Sequence, residues 1–224
     1  GDRVGLDLDS VPLLTRRHEL IELSGGVVGR REDAGGRSAL PCPGREILVR
    51  DDQPESCVRV ALLSVLDRQT GPQQVPAPFR LLAGARLVER QLDIALAAGC
   101  ETIACLAQAV GREVIELQHR AEAAGARFIA LHEPRKLSGM VSASDELLVM
   151  APGVLPEEEA VLRQLTKPGV LVFPEDPAVQ RGYERIDAHF AWAGVLLTRG
   201  QAVEQLAQLP DDVDTPSALL RIAL

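Results

Sequence analysis

Aromatic residues make up only 3% of this 224-residue chain, so any core it forms is aliphatic, built from Leu, Val, Ile and Ala. Positive charge is also short: 24 Lys and Arg face 32 Asp and Glu, a formal net charge of −8. That balance argues against nucleic acid as a partner, because neutralising phosphates takes a basic face. No Lys/Arg cluster interleaved with aromatics supplies one. No apolar run approaches the ~20 residues of a membrane span, and the first residues lack a signal-peptide pattern, so no membrane partner is expected. The four cysteines, Cys42, Cys57, Cys100 and Cys105, contain no C-x-x-C pair, and no His stands at zinc-finger spacing from them. Four free thiols in a reducing, cytoplasmic setting are the expectation. A G-x-G-x-x-G fingerprint is missing after the first regular strand, His18, His119 and His132 are isolated, and no Ser-His-Asp or Cys-His spacing can be nominated.

What is present is a chain of two textures. Residues 1–57 read as a partly ordered N-terminal extension packed on the main domain. In it Val11–Leu23 has helical spacing, Pro41–Gly44 reads as a turn and Glu46–Arg50 as a short strand, while Gly25-Gly26 would be a phosphate-binding turn only with a strand before it and a helix after it, and it has neither. Residues 58–224 are regular. Val58–Leu66, Thr102–Ala107, Arg127–Leu131, Glu146–Met150 and Gly169–Phe173 are short, nearly continuous apolar runs, as strands covered on both faces should be. Between them lie amphipathic stretches at Gly84–Ala98, Val110–Ala124, Leu137–Ala143 and Pro156–Leu165. Strands alternating with helices predict an α/β sandwich with one mainly parallel sheet. The chain opens on Gly1 and stops at Leu224 in the middle of a helical pattern, so a truncated piece of a longer protein, with further domains or a homodimeric partner, is the expectation.

The segment Pro78–Leu106, PFRLLAGARLVERQLDIALAAGCETIACL, resembles the early part of the nucleotidyltransferase-like fold, the GT-A and molybdenum-cofactor guanylyltransferase-like superfamily of nucleotide-diphospho-sugar transferases. Two later segments are similar to the same superfamily. Ala193-Gly194-Val195 resembles its Asn-Ala-Gly-Ile strand, and Asp212–Pro216 (DVDTP) its D-I-D-T-P segment. The resemblance spans roughly Val58 to Leu224. It implies a three-layer sandwich with a mixed central sheet, Mg²⁺ as cofactor, and attack of a phosphorylated small molecule on a nucleotide with loss of pyrophosphate.

The departures fall at the chemistry. The loop after the first strand, Asp67–Ala77, keeps one glycine, Gly71, among Pro72, Pro76 and the following Pro78. Each proline removes a backbone donor that a phosphate cradle needs. Arg80 stands, offset by one residue, where the family has its phosphate-binding Lys; it reads equally as a solvated arginine at a strand start. After the fourth strand, LLVMAPGVLP puts Gly153 where the family holds its metal with an Asp. Asp145 and Glu146 lie at the other end of that strand.

If Gly182–Leu197 is extended, period-two alternation sets Arg185, Asp187 and His189 on one face and Ile186, Phe190 and Trp192 on the other. The first three are then a candidate surface for a phosphorylated ligand together with Arg80, or simply the polar face of a half-exposed strand. Asp187, Asp212 and Asp214 are the candidate metal ligands. The competing reading of Asp212–Pro216 is helix entry, with Thr215 as cap and Pro216 in the first turn. Two functional readings follow. In one the domain binds a nucleotide or phosphorylated small molecule with little or no catalysis. In the other it is an active Mg²⁺-dependent nucleotidyltransferase.

Overall fold

The computed structural model describes residues 19–23, 57–66, 75–174, 183–210 and 212–224. Nine strands and five α-helices occur in this part of the chain. In chain order they are β1 (Glu19–Glu22), β2 (Arg59–Ser64), β3 (Leu81–Leu82), β4 (Ala85–Arg86), α1 (Leu87–Ala97), β5 (Thr102–Leu106), α2 (Arg112–Ala123) and β6 (Arg127–Leu131). Then follow β7 (Glu146–Met150), α3 (Glu158–Gln164), β8 (Gly169–Pro174), β9 (Phe190–Arg199), α4 (Gln201–Leu206) and α5 (Thr215–Ala223).

Seven strands form one sheet in the order β1-β8-β9-β7-β2-β5-β6. Strands β7, β2, β5 and β6 pair in parallel. Strand β9 is antiparallel to both β7 and β8, so β8 points the same way as the parallel set although β9 separates it from them. All five apolar runs expected as strands therefore lie in one sheet and share one direction. Their side chains alternate between two cores. Ala61 and Leu63 of β2 face the layer of α1, α2 and α3, with Val88, Leu92, Leu117 and Val161. Val60 and Leu62 face the layer of α4 and α5, with Val203, Leu206, Leu219 and Leu220. This is a three-layer α/β sandwich: the mainly parallel direction follows the strand and helix pattern, and the mixed sheet is what the family resemblance implied.

Several local expectations are corrected. The helical reading of Val11–Leu23 fails at its end: Glu19–Glu22 is an edge strand antiparallel to β8, and 11–18 lie outside the described residues. Leu20 packs on the first core and Ile21 on the second, the alternation of a strand. Gly84 does not open a helix. It forms, with Ala83, the turn of the β3-β4 hairpin, at φ of 84° and 48°. Two successive left-handed residues are what a two-residue hairpin loop requires. Helix α1 starts only at Leu87, where the Arg86 N–H donates to Glu89 Oε2 at 2.8 Å. The stretch expected as a helix at Leu137–Ala143 is a 3₁₀ segment at Pro134–Gly139. Gly25-Gly26, Pro41–Gly44, Glu46–Arg50 and residues 67–74 of the candidate phosphate loop lie outside the described residues.

Candidate functional site

Ligands of open α/β sheets bind beyond the carboxyl ends of the parallel strands. At that end of β7 the chain turns through Ala151–Leu155, and this loop is held from the helical layer. The Gln91 side chain, fully buried on α1, donates through Nε2 to the carbonyls of Ala151 at 2.8 Å and Val154 at 2.6 Å. Its Oε1 is buried and has no hydrogen-bond partner among the described residues.

Gly153, in this loop, has φ of 79°. A Cβ built there meets the Cβ of Ala77 at 2.9 Å. The short 3₁₀ turn Ala77–Phe79 thus lies directly against the position where the resemblance places a metal-holding Asp. Both the left-handed backbone and the close neighbour select glycine.

Tyr183 reaches the same core layer. Its ring meets Phe173 edge-on, with centroids 4.7 Å apart and planes at 81°, and its hydroxyl is buried with no partner among the described residues. Burial raises the phenol pKa above its ordinary value.

The segment after Tyr183 corrects the extended reading of Gly182–Leu197. Arg185 makes a single bridge to Ala191, and Asp187 to His189 form a bend. The N–H groups of Ile186 and Asp187 both donate to the Phe190 carbonyl, at 3.0 and 3.3 Å. The chain therefore reverses, and the regular strand begins at Phe190. The cause is Asp187 itself, whose Oδ1 accepts the N–H groups of His189 at 2.7 Å and Phe190 at 2.8 Å. A short carboxylate side chain taking backbone donors two and three residues on is the turn chemistry of Asp and Asn. These two bonds, with smaller help from the His189 and Arg185 charges, lower the Asp187 pKa below its ordinary value. Arg185, Asp187 and His189 are exposed, while Ile186 and Phe190 pack on the second core and Trp192 is buried within it. The inside-outside partition read from the sequence holds, but on a hairpin tip rather than along a strand face.

Arg80 is exposed beside the 3₁₀ turn, with Nε 3.4 Å from the Val75 carbonyl. Asp214 occupies the N-cap of α5, and Thr215 and Pro216 are its first two helical residues, so the cap falls one residue before the Thr215 expected. Helix α5 is tied to the hairpin through Glu184, whose Oε1 accepts from Ser217 Oγ at 2.8 Å and Arg221 Nη2 at 2.9 Å.

Asp145, Glu146 and His132 have structural partners. Asp145 is buried and accepts the Val58 N–H at 3.1 Å and the Ser142 N–H at 2.8 Å. Glu146 pairs with Arg59 at 2.6 Å. His132 Nδ1 lies 3.0 Å from the Ala107 carbonyl.

Mg²⁺ takes oxygen ligands, commonly one or two carboxylates with phosphates and water. Gly153 brings none, and Asp187 Oδ1 is engaged by two backbone donors. Among the described residues, no three His, Cys, Asp or Glu side chains gather into a group able to hold a metal ion, so Asp187, Asp212 and Asp214 do not assemble into one. The described residues do not fit a preformed magnesium site.

No family model matches the chain, and no curated protein does. Solved structures are similar at low identity. One is a 4-diphosphocytidyl-2C-methyl-D-erythritol synthase (13% identical, 75% of this chain and 86% of that one, TM-score 0.49). Another is a UDP-glucose pyrophosphorylase complexed with UDP-glucose (11%, 74% and 87%, TM-score 0.48). A third is a putative glucose-1-phosphate thymidylyltransferase from Bacillus anthracis (11%, 74% and 83%, TM-score 0.48). Likenesses this remote assign no activity. What they bind or make belongs to those proteins.

Proposed function

We propose that residues 58–224, with Glu19–Glu22 added at the sheet edge, form a divergent nucleotidyltransferase-like domain. It binds a nucleotide or a phosphorylated small molecule at the carboxyl end of the sheet with little or no nucleotidyl transfer. The observation that carries this reading is Gly153, left-handed and pressed on Ala77 where a metal carboxylate belongs. Arg80, Arg185 and His189 supply the cationic or protonatable groups for phosphate, on loops held by the rigid sheet.

The experiment is a thermal-shift series with each nucleoside triphosphate, with and without Mg²⁺, beside a pyrophosphate-release assay using sugar and alcohol phosphates. Binding to the native state raises the melting temperature. The expected pattern is a shift for at least one nucleotide, weakened in Arg185→Ala without loss of folding, and at most trace pyrophosphate. Robust turnover that Asp187→Ala or Asp214→Ala abolishes would instead favour the second reading, a Mg²⁺-dependent enzyme with its metal carboxylates on Asp187, Asp212 and Asp214. No shift with any nucleotide or sugar phosphate would sink both.

A further inference from the structure

The two edges of the seven-stranded sheet are built differently. Strand β1 has four residues with a glutamate at each end, the short and charged kind of edge that resists joining another sheet. Strand β6, RFIAL, has no proline, no lysine and no register shift, and its one charge stands at its first residue. In the parallel ladder with β5, the Arg127 N–H donates to the Glu101 carbonyl, and the Leu131 carbonyl accepts the Ala107 N–H, both at 2.9 Å. The main-chain groups of Arg127, Ile129 and Leu131 therefore turn inward. Those of Phe128 and Ala130 turn outward, and nothing among the described residues pairs with them.

The side chains divide in the same alternation. Phe128 and Ala130 lie on the α2 side of the sheet, and Ile129 and Leu131 on the side of α4 and α5. Ile129 and Ala130 are partly exposed. On α2, Glu116 and Arg120 reach across to Arg86 and Asp93, the α1 side. The other flank of that helix, with Gln118 and the 40% exposed Ile115, borders the β6 edge.

We propose that β6 is a dimer edge: the β6 of a second copy pairs with it antiparallel about a two-fold axis at Ile129, joining the two sheets into one. In this register Phe128 and the partner's Ala130 exchange both of their main-chain hydrogen bonds, and the two-fold axis repeats the exchange. The strand is complementary to itself. Large Phe128 falls opposite small Ala130 on one face, and Ile129 meets its own copy on the other, a β-branched pair that sheets favour. Arg127 falls opposite the partner's Leu131 and diagonal to the partner's Glu133, whose backbone is extended at φ of −127° and ψ of 129°. Diagonal neighbours ~7–8 Å apart are within reach of a long side chain. Arg127 has no carboxylate partner among the described residues, and Glu133 has an exposed contact with Lys136 at 3.6 Å. The dimer thus supplies the missing ion pair on each side of the axis. None of this depends on the nucleotide reading.

The test uses the full chain in sedimentation equilibrium. The parent is expected to be a dimer that dissociates on dilution. Ala130→Pro removes an outward N–H that makes no bond within the chain, a substitution an edge strand tolerates. It should give a monomer whose melting temperature, read below the parent's dissociation constant, stays within a few degrees of the parent. Arg127→Glu should weaken the dimer about tenfold, and adding Glu133→Arg should recover it. The register is read by Ile129→Cys in a Cys42→Ser, Cys57→Ser background. A non-hydrogen-bonded antiparallel pair sets Cα atoms ~4.5 Å apart, inside disulfide range, so mild oxidation should link two chains. Arg127→Cys, facing the partner's Leu131, should not link. Three results would overturn the proposal: a monomeric parent at every concentration, a dimer that persists in folded Ala130→Pro, or a dimer in which Ile129→Cys fails to link. The parent's association and the Ile129→Cys cross-link decide the matter even where the proline variant fails to fold.

Discussion

The side-chain amide of Gln91 donates to the backbone carbonyl of Ala151 at 2.8 Å, joining α1 to the loop that follows β7. The same nitrogen takes the Val154 carbonyl, so one buried donor group fixes both sides of Gly153. Gln91→Leu keeps most of the volume but leaves two loop carbonyls without this donor. The expected cost is about 1–3 kcal/mol, toward the lower end because the unpartnered Oε1 is removed as well. Urea denaturation measures it. Amide exchange at Gly153 and Val154 should accelerate more than at β5, which the substitution does not touch.

Restoring a carboxylate at position 153 is expected to fail. Gly153→Asp forces an L-residue to φ of 79° and sets its Cβ against Ala77. Left-handed strain costs of order 1–3 kcal/mol for a non-glycine residue. The variant should melt earlier and release no more pyrophosphate than the parent. Adding Ala77→Gly should recover part of the stability, because it removes the clash and leaves the backbone strain. A stable, active Gly153→Asp protein would overturn the structural account of this loop.

The five co-directional strands were legible because burial on both faces leaves a continuous apolar run, a signal carried by each segment alone. Strand β1 was not. Leu20 and Ile21 fit helical spacing locally, and what makes them a strand is the pairing of Glu19–Glu22 with Gly169–Val172 far along the chain. The hairpin tip failed for a different reason. Alternation placed Ile186 and Phe190 inward correctly, but the Asp187 turn, with its carboxylate on the His189 and Phe190 N–H groups, interrupts the strand. Asp two residues before His189 was a readable turn signal. Gln91 was missed among its charged neighbours Glu89, Arg90 and Asp93, although it falls in the apolar stripe with Val88, Leu92 and Ala95. Tyr183 stands alone in sequence, and only the fold brings its ring to Phe173.

Cys100 and Cys105 are buried, and burial pushes both thiols up to about 12 from an ordinary value of 9.0. A raised folded pKa means their contribution to stability is complete below the unfolded value and is lost as pH rises toward the folded one. In a Cys42→Ser background, exposed Cys57 should react rapidly with a thiol reagent at pH 8, and Cys100 and Cys105 only after unfolding. Between pH 9 and 12 each buried thiol should lower stability by about 1.4 kcal/mol per pH unit. Replacing both with Ala should flatten that slope. Prompt labelling of either thiol in the folded protein would contradict their placement.

Asp187 allows the turn and the ligand site to be separated. Its depressed pKa comes first from the His189 and Phe190 N–H groups, so the turn's contribution is present above the ordinary Asp value of 3.8 and fades as pH falls through the lower, folded value. The His189 and Phe190 amide resonances should therefore titrate below pH 3.8, while core amides such as Leu62 stay fixed. Asp187→Asn keeps an Oδ1 acceptor for both donors and removes the charge, so those amides should hold their positions and lose their pH dependence. Asp187→Ala should release them at every pH. Nucleotide binding measured on the same two variants then assigns the carboxylate a role. If Asp187 serves only to shape the tip that presents Arg185 and His189, Asn preserves binding and Ala weakens it. If the carboxylate holds a cation against the ligand's phosphates, both variants lose the Mg²⁺-dependent part of the thermal shift equally, because an amide oxygen is a much poorer partner for magnesium than a carboxylate.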